Sequence, residues 1–442
     1  MSRSTTTSTS ILAGMILCLV AVMFFWPGTR WLAADDVPAP KPELAFAVNR
    51  ARTTTDGRLY PAFYGYVISP HAVAAGGRVY CAFQNADGCP TAMAYDIAEK
   101  SWAGPVEVSS FGLGRDSHGN PSLCVDRRGH LHVFYGCHGG PMRHARGTKP
   151  YDIAAWEERP AAARRATYPQ SMRMADDTIR LFYRAGGHMA PWTMQSSSDD
   201  CFTWSEPEAI IEMRLAPRDP LAAAYCNFFP GTDGKTIHCF WNHKDDNASR
   251  VRGDRKHPWR PLKYPGLHEA VYRYNVYYVR RDPDGAWRNA AGRKMELPIS
   301  KARADAHCLV YDSGDEFTLL GYKSRLAVDA AERPYVKIYT GVVDWTTGLE
   351  HPKVSIVPMR SKFARFAPGG WQISDRMPGD WPAEVAAVIS ARGLAAYGDR
   401  SAGRWFIFTP RYPIRPGTGS FVFLYNEKTG YATRKGGPAM ID

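Results

Sequence analysis

Asp126-Arg127-Arg128-Gly129-His130-Leu131-His132-Val133-Phe134-Tyr135-Gly136 reads as a tight turn followed by one β-strand. Asp126 and Gly129 supply the turn. Period-two alternation then places His130, His132 and Phe134 on one face and Leu131, Val133 and Tyr135 on the other. The same turn-then-strand unit recurs as GGRVYCAFQ from Gly76, ADDTIRLFYRAG from Ala175, TDGKTIHCFWN from Thr232 and SGDEFTLLGYK from Ser313. Weaker copies are RPYVKIYTG from Arg333 and AGRWFIFTPR from Ala402. Spread over the chain, such units are about 55 to 60 residues long, room for four short strands and their loops. They predict an all-β fold, a seven-bladed β-propeller forming a single domain over residues 35–442. Two packed β-sandwiches would need a Pro- or Gly-rich linker between halves, and none is present.

A second repeated feature supports the propeller. Ser197-Ser198-Asp199-Asp200-Cys201-Phe202-Thr203-Trp204 follows the Asp-box pattern S-x-D-x-G-x-T-W, with Cys201 in the glycine position. Asp282-Pro283-Asp284-Gly285-Ala286-Trp287 is a degenerate second copy. In such a box the Asp ties down a hairpin turn and the Trp packs between sheets, so its role is structural.

The 442 residues are 45% hydrophobic, 12% aromatic and 22% charged, a globular composition. Lys and Arg number 55 against 43 Asp and Glu, giving a net charge of +12. That excess points to an anionic partner: nucleic acid, an acidic membrane surface or an acidic polymer. The N-terminus narrows the choice. An apolar run from Ile11 to Trp26, followed by Leu32-Ala33-Ala34, reads as a secretory signal over residues 1–34, short for a membrane span. An uncleaved anchor is the alternative. Export implies a periplasmic or secreted protein, no nucleic-acid partner and, once the leader is removed, no stable membrane association; a monomer is expected. Eight cysteines follow the leader, with no C-x-x-C pair. Cys81 and Cys89 are the closely spaced two that could close a small loop, whereas cysteines in apolar strands read as buried free thiols.

The densest polar cluster is Arg115-Asp116-Ser117-His118-Gly119-Asn120-Pro121-Ser122, followed by the strand above and its exit Gly136-Cys137-His138-Gly139-Gly140. Successive propeller strands run antiparallel, so His118, before one strand, and His138, after the next, emerge at the same rim. His130 and His132 read as packing or hydrogen-bonding residues. Downstream lie Thr167-Tyr168-Pro169-Gln170, then Phe182-Tyr183-Arg184-Ala185-Gly186, then Ala224-Tyr225-Cys226-Asn227. Arg184 ends an apolar strand just before two glycines, an unusual place for a charge unless it meets an anion or pairs with a carboxylate such as Asp199. Tyr168 and Tyr225 read by default as aromatic packing.

In order and spacing, from about residue 60 to 320, these motifs resemble the BNR-repeat propellers, which include the ulvan lyases of polysaccharide lyase families 24 and 25. The resemblance implies a seven-bladed propeller that cleaves an acidic, uronate-containing and sulfated polysaccharide by β-elimination. Carried over position by position, it places the site at His118, His138, Tyr168, Arg184 and Tyr225. Gly119 and Gly140 stand where many relatives carry asparagine, a departure that bears on which sugar is bound. Elimination needs a base for the uronate C5 proton, an acid for the leaving O4 and a cation for the enolate-like carboxylate. His118 is assigned as base, Tyr168 as acid or as both, and Arg184 as the neutralising cation, because its guanidinium forks onto a carboxylate. His138, Tyr225, Asn120 and Arg255 are assigned to sugar binding, with Arg255 in the most basic run of the chain.

The chemistry requires no cofactor. The resemblance implies a structural zinc, for which His243 and His257 are the favoured ligands among Cys226, His238, Cys239, His243, His257 and His268; ordinary loop histidines are the other reading. Two further functions compete: a sialidase-like glycoside hydrolase, which would show a carboxylate pair or a carboxylate-assisted tyrosine, and a non-catalytic glycan-binding propeller.

Overall fold

The computed structural model describes residues 60–63, 72–85, 88–96, 98–99, 101–114, 116, 118, 120–213, 222–245, 273–313, 316–319, 325–341, 360–390, 395–399, 404–410 and 419–426. The chain divides into residues 1–38 and 39–442, and every described residue belongs to the second unit. The proposed leader, Arg255 and His257 lie outside the described residues.

Antiparallel meanders build an all-β, propeller-like architecture. The first runs through Ala72–Ala75, Arg78–Asn85, Pro90–Asp96 and Ser101–Glu107. The strand Tyr60–Phe63 joins it, pairing Ala62 with Asn85. The same short strand also pairs Tyr60 with Ser420 in the C-terminal strand Gly419–Asn426. Residues from both ends of the chain therefore share one eight-stranded sheet. The ring closure is made by Tyr60 and Pro61, which pair with Ser420 and Gly419.

The next sheet also has eight strands, and its organisation positions the site. Ser122–Val125, Leu131–Tyr135 and His138–Gly147 form three legs of a meander. The fourth leg is the first half of an 18-residue strand, Trp156–Arg173. Its second half starts the following meander, continued by Ile179–Arg184, Trp192–Ser197 and Glu208–Glu212. Burial follows that division: the first half is largely open, whereas Ala166–Met172 is buried throughout.

The core is a series of seams between meanders. Leu131, Val133 and Tyr135 pack with Tyr80, Ala82 and Leu123 on one side. Phe134, one residue out of phase, packs with Cys124, Ile179 and Cys201 on the other. The two-faced reading of this strand therefore holds, with both faces buried as in a layered β-fold. His130 donates its Nδ1–H to the Gly147 carbonyl at 2.8 Å.

The third sheet begins with the edge strand Ala222–Pro230, followed by Ile237–Asp245 and Arg273–Arg281. An unpaired edge leaves alternate backbone groups without ladder partners. Side chains from the neighbouring meander supply them. Trp192 Nε1–H donates to Ala224 O at 2.7 Å and Gln170 Nε2 to Cys226 O at 3.0 Å, while Phe228 N–H donates to Gln170 Oε1 at 2.9 Å. His238, weighed above as a zinc ligand, is instead a tie between sheets. Tyr278 OH lies 2.7 Å from its Nδ1 and Glu332 Oε2 2.8 Å from its Nε2.

All eight described cysteines are buried free thiols, so Cys81 and Cys89 are not bridged. Cys81 sits mid-strand in a sheet core, while the Cys89 thiol donates to Ser110 O at 3.4 Å.

Gln170→Ala deprives two buried backbone groups, Cys226 C=O and Phe228 N–H, of their side-chain hydrogen bonds. The expected loss is about 3 kcal/mol, read as a lower urea midpoint at unchanged slope.

Candidate functional site

Thr167 is the residue at which the long strand changes partners. It pairs with His138 on one side and with Arg184 on the other. Its hydroxyl accepts a hydrogen bond from Gly139 N–H at 2.9 Å and donates to Gly186 O at 2.7 Å. The flanking glycines take the left-handed conformations, φ +76° at Gly139 and +132° at Gly186, that such tight exits require. Tyr168 follows with φ +62°, a conformation a bulky residue adopts at a cost of order 1 kcal/mol. That turn sets the Tyr168 ring beside His118, with ring centroids 5.0 Å apart.

The two loop histidines converge. The His118 and His138 rings stack with centroids 3.7 Å apart and planes 4° from parallel. Asp116 holds both. His118 Nδ1 lies 2.5 Å from Asp116 Oδ1, and His138 Nδ1 lies 2.6 Å from Oδ2. The His118 backbone N–H also donates to Oδ1, at 3.0 Å. Burial alone would raise the Asp116 carboxyl. The His118 ring and backbone bonds, the His118 charge and the His138 bond outweigh it and hold Asp116 well below the usual carboxylate range. A carboxylate only accepts, so both Nδ1 atoms carry a proton, and in the neutral ring the lone pair then sits on Nε2.

Arg184 is 1% exposed, and its Nε and Nη1 find no hydrogen-bond partner in the protein. Its guanidinium carbon lies 4.8 Å from the Tyr168 ring centroid and 5.8 Å from that of Tyr225. The pairing with Asp199 weighed above does not occur, because Asp199 is bonded to Ser197 and Thr203 within the Asp box. More cationic chains surround Tyr225. The Arg273 guanidinium carbon lies 4.2 Å from its ring centroid, and Lys244 Nζ lies 3.4 Å from Nε2 of His188, whose Nδ1 is 3.5 Å from the Tyr225 hydroxyl. Buried Trp192 stacks beneath Tyr168 at 6.1 Å.

The structure thus brings together His118, His138, Tyr168, Arg184 and Tyr225. Asn120 is 1% exposed, in the loop between His118 and the strand that begins at Ser122. His243 is fully buried in the Ile237–Asp245 strand, edge-on to Tyr274 at 4.8 Å. Asp116, Thr167, His188, Lys244 and Arg273 were not assigned roles from sequence. For Asp116 the signal was its place two residues before His118, the spacing at which an Asp side chain accepts the following backbone N–H. Asp116, His118 and His138 also offer ligand atoms within 4.8 Å of one another, a set able to hold a cation. The chemical capacity of the arrangement is an anion clamp, two imidazole lone pairs and a phenol around one point.

The sequence pattern described as BNR repeat-containing family member matches residues 78–345. An ulvan lyase of Nonlabens ulvanivorans is 29% identical over 303 residues, covering 62% of this chain and 60% of that protein. An ulvan lyase of Alteromonas sp. (strain LOR) is 28% identical over 302 residues, 62% of this chain and 58% of that one. The chain thus spans about 60% of the length of the curated relatives it matches. Among solved structures, a PL25 ulvan lyase bound to -[GlcA(1-4)Rha3S]- superposes with a TM-score of 0.63 at 19% identity, covering 84% of this chain and 95% of that one. The polysaccharide lyase Uly1 gives 0.54 at 13% identity, covering 86% and 84%. These superpositions establish the fold.

Side-chain nitrogen NMR should show His118 and His138 as Nδ1–H tautomers at neutral pH, and Asp116→Asn should abolish that shared preference. Because the Asp116 carboxyl sits below its unfolded value, its contribution to stability is complete above about pH 4 and is lost as pH falls through the folded value. An Nε2–H tautomer on both rings would contradict this.

Proposed function

Since the chain belongs to the BNR repeat-containing family, we propose that it is a polysaccharide lyase that cleaves a uronate-containing, ulvan-like polymer by β-elimination. The observation that carries this reading is Arg184, a buried guanidinium with two unsatisfied nitrogens beside two stacked histidines and a tyrosine. A buried cation is costly unless a partner meets it. A uronate carboxylate is the anion whose two oxygens match its fork.

In this reading the carboxylate docks on Arg184, which acidifies the C5 proton by stabilising the enolate-like intermediate. His118 Nε2 takes that proton, and Asp116 stabilises the imidazolium that results. The C5 electron pair forms the C4–C5 double bond, the C4–O4 bond breaks, and the Tyr168 hydroxyl donates its proton to O4. His138 and Tyr225 orient the ring, while Arg273 and Lys244 favour a polyanion near Tyr225. The ring of sheets has seven blades in this account, and the apolar run Ile11–Trp26 delivers a monomeric enzyme to a polymer outside the cell. The sialidase-like alternative is less well supported. The carboxylate in the cluster, Asp116, is already bonded to both histidines.

Incubation with ulvan should generate the ultraviolet absorbance of an unsaturated uronate. New reducing ends without that absorbance would indicate hydrolysis, and neither signal would indicate a binder. Arg184→Ala should lower kcat/KM by about 10²–10³, and Tyr168→Phe by about 10²–10⁴. His118→Ala retaining near-full activity while Tyr168→Phe is inactive would make Tyr168 both base and acid.

A further inference from the structure

Phe202 is the most exposed large apolar side chain among the described residues, at 52%. One exposed aromatic is ordinary on a protein surface, but the surroundings of this one are not. It stands at the tip of the Asp-box turn, which Asp199 makes rigid by accepting from Ser197 Oγ at 2.8 Å, Thr203 N–H at 2.9 Å and Thr203 Oγ1 at 2.6 Å. The Arg159 guanidinium carbon lies 4.6 Å from the Phe202 ring centroid and that of Arg146 6.0 Å. Two residues earlier in the turn, the buried Asp200 holds two more guanidiniums. Its Oδ2 lies 3.1 Å from Arg127 Nε and 3.2 Å from Arg128 Nε. Those two side chains are 45% and 61% exposed. Because both spend Nε on one buried oxygen, their terminal nitrogens remain available to a ligand.

Strand order puts this cluster at the end of the site sheet opposite the catalytic rim. Ser122–Val125 runs away from His118, so the turn carrying Arg127 and Arg128 lies at the far end. Trp192–Ser197 likewise runs from its pairing with Arg184 to the Asp box. The six-residue strand Ile179–Arg184 separates the two ends by about 17 Å.

We propose that Phe202, Arg127, Arg128 and Arg159 form a second, non-catalytic binding site for an acidic polysaccharide chain. The choice of a sugar polymer rests on the function proposed above. A pyranose ring offers a face of C–H groups that packs on an open aromatic ring, and an anionic substituent on the same chain meets the free guanidinium ends of Arg127 and Arg128. The accessible carboxylate of the patch is Glu157, 3.1 Å from Arg146 and 3.8 Å from Arg159. Asp200 is buried and Asp199 is engaged inside the turn, so guanidiniums dominate what a ligand meets. The fixed turn and the Asp200 clamp hold these groups in place beforehand, which lowers the entropy lost on binding. A polymer held here keeps its other segments at high local concentration near the Arg184 rim.

The test is affinity electrophoresis of the full chain through gels containing ulvan, with kcat/KM on an ulvan tetrasaccharide reporting on the catalytic rim alone. Phe202→Ser, and the double variant Arg127→Gln/Arg128→Gln in which glutamine still donates to Asp200 without a charge, should each bind the polymer about tenfold more weakly. Their Tm and their kcat/KM on the tetrasaccharide should stay at wild-type values. Variants retarded as strongly as wild type would overturn the proposal, as would binding to phosphatidylserine vesicles in place of the polymer. Retardation that depends on these residues without any unsaturated product would support this site and refute the lyase reading. Unsaturated product with retardation independent of them would do the reverse.

Discussion

The Thr167 hydroxyl bridges Gly139 and Gly186 at the point where the Trp156–Arg173 strand leaves one meander and enters the next. Strand pairing on either side of it fixes His138 and Arg184 in register, and the left-handed backbone at the next residue turns Tyr168 toward His118. Three of the five clustered residues are thus positioned by one buried side chain and the ladders it joins. A site built on paired strands in this way is held more tightly than one carried by loops alone. The loop members, His118 and its neighbours, are instead held by Asp116.

Electrostatics then divides the site into two parts. Asp116 and the histidine pair form a satisfied unit in which the acceptor-only carboxylate dictates the tautomers. Arg184 is the unsatisfied part: its Nε and Nη1 have no hydrogen-bond partner, and the faces of Tyr168 and Tyr225 beside it, worth about 0.5–2 kcal/mol each, offset far less than the cost of burying a guanidinium. The fold pays that cost at one point, beside groups able to move a proton.

Much of this was legible in the sequence. Period-two alternation assigned both faces of Leu131–Tyr135, and antiparallel order brought His118 and His138 to one rim. What was not legible depends on contacts between segments far apart in the chain. Asp116 shares its carboxylate with a histidine 22 residues away, and His188 and Arg273 meet Tyr225 from separate segments, with Lys244 against His188 from a third. His238 looked like a metal candidate because composition cannot show that Tyr278 and Glu332 already occupy its ring nitrogens. Cys81 and Cys89 looked like a pair because spacing does not report the strand geometry that separates their thiols.

The positive balance of +12, compatible at first with several polyanions, acquires a place to act in Arg184, Arg273 and Lys244 around Tyr225. The central claim is that Arg184 receives the uronate carboxylate. A crystal structure of the Tyr168→Phe variant with a uronate-containing oligosaccharide tests it directly. The account predicts a carboxylate forked on the Arg184 guanidinium with C5 facing His118 Nε2. A sugar bound with its carboxylate elsewhere, and Arg184 still without an anion, would contradict it.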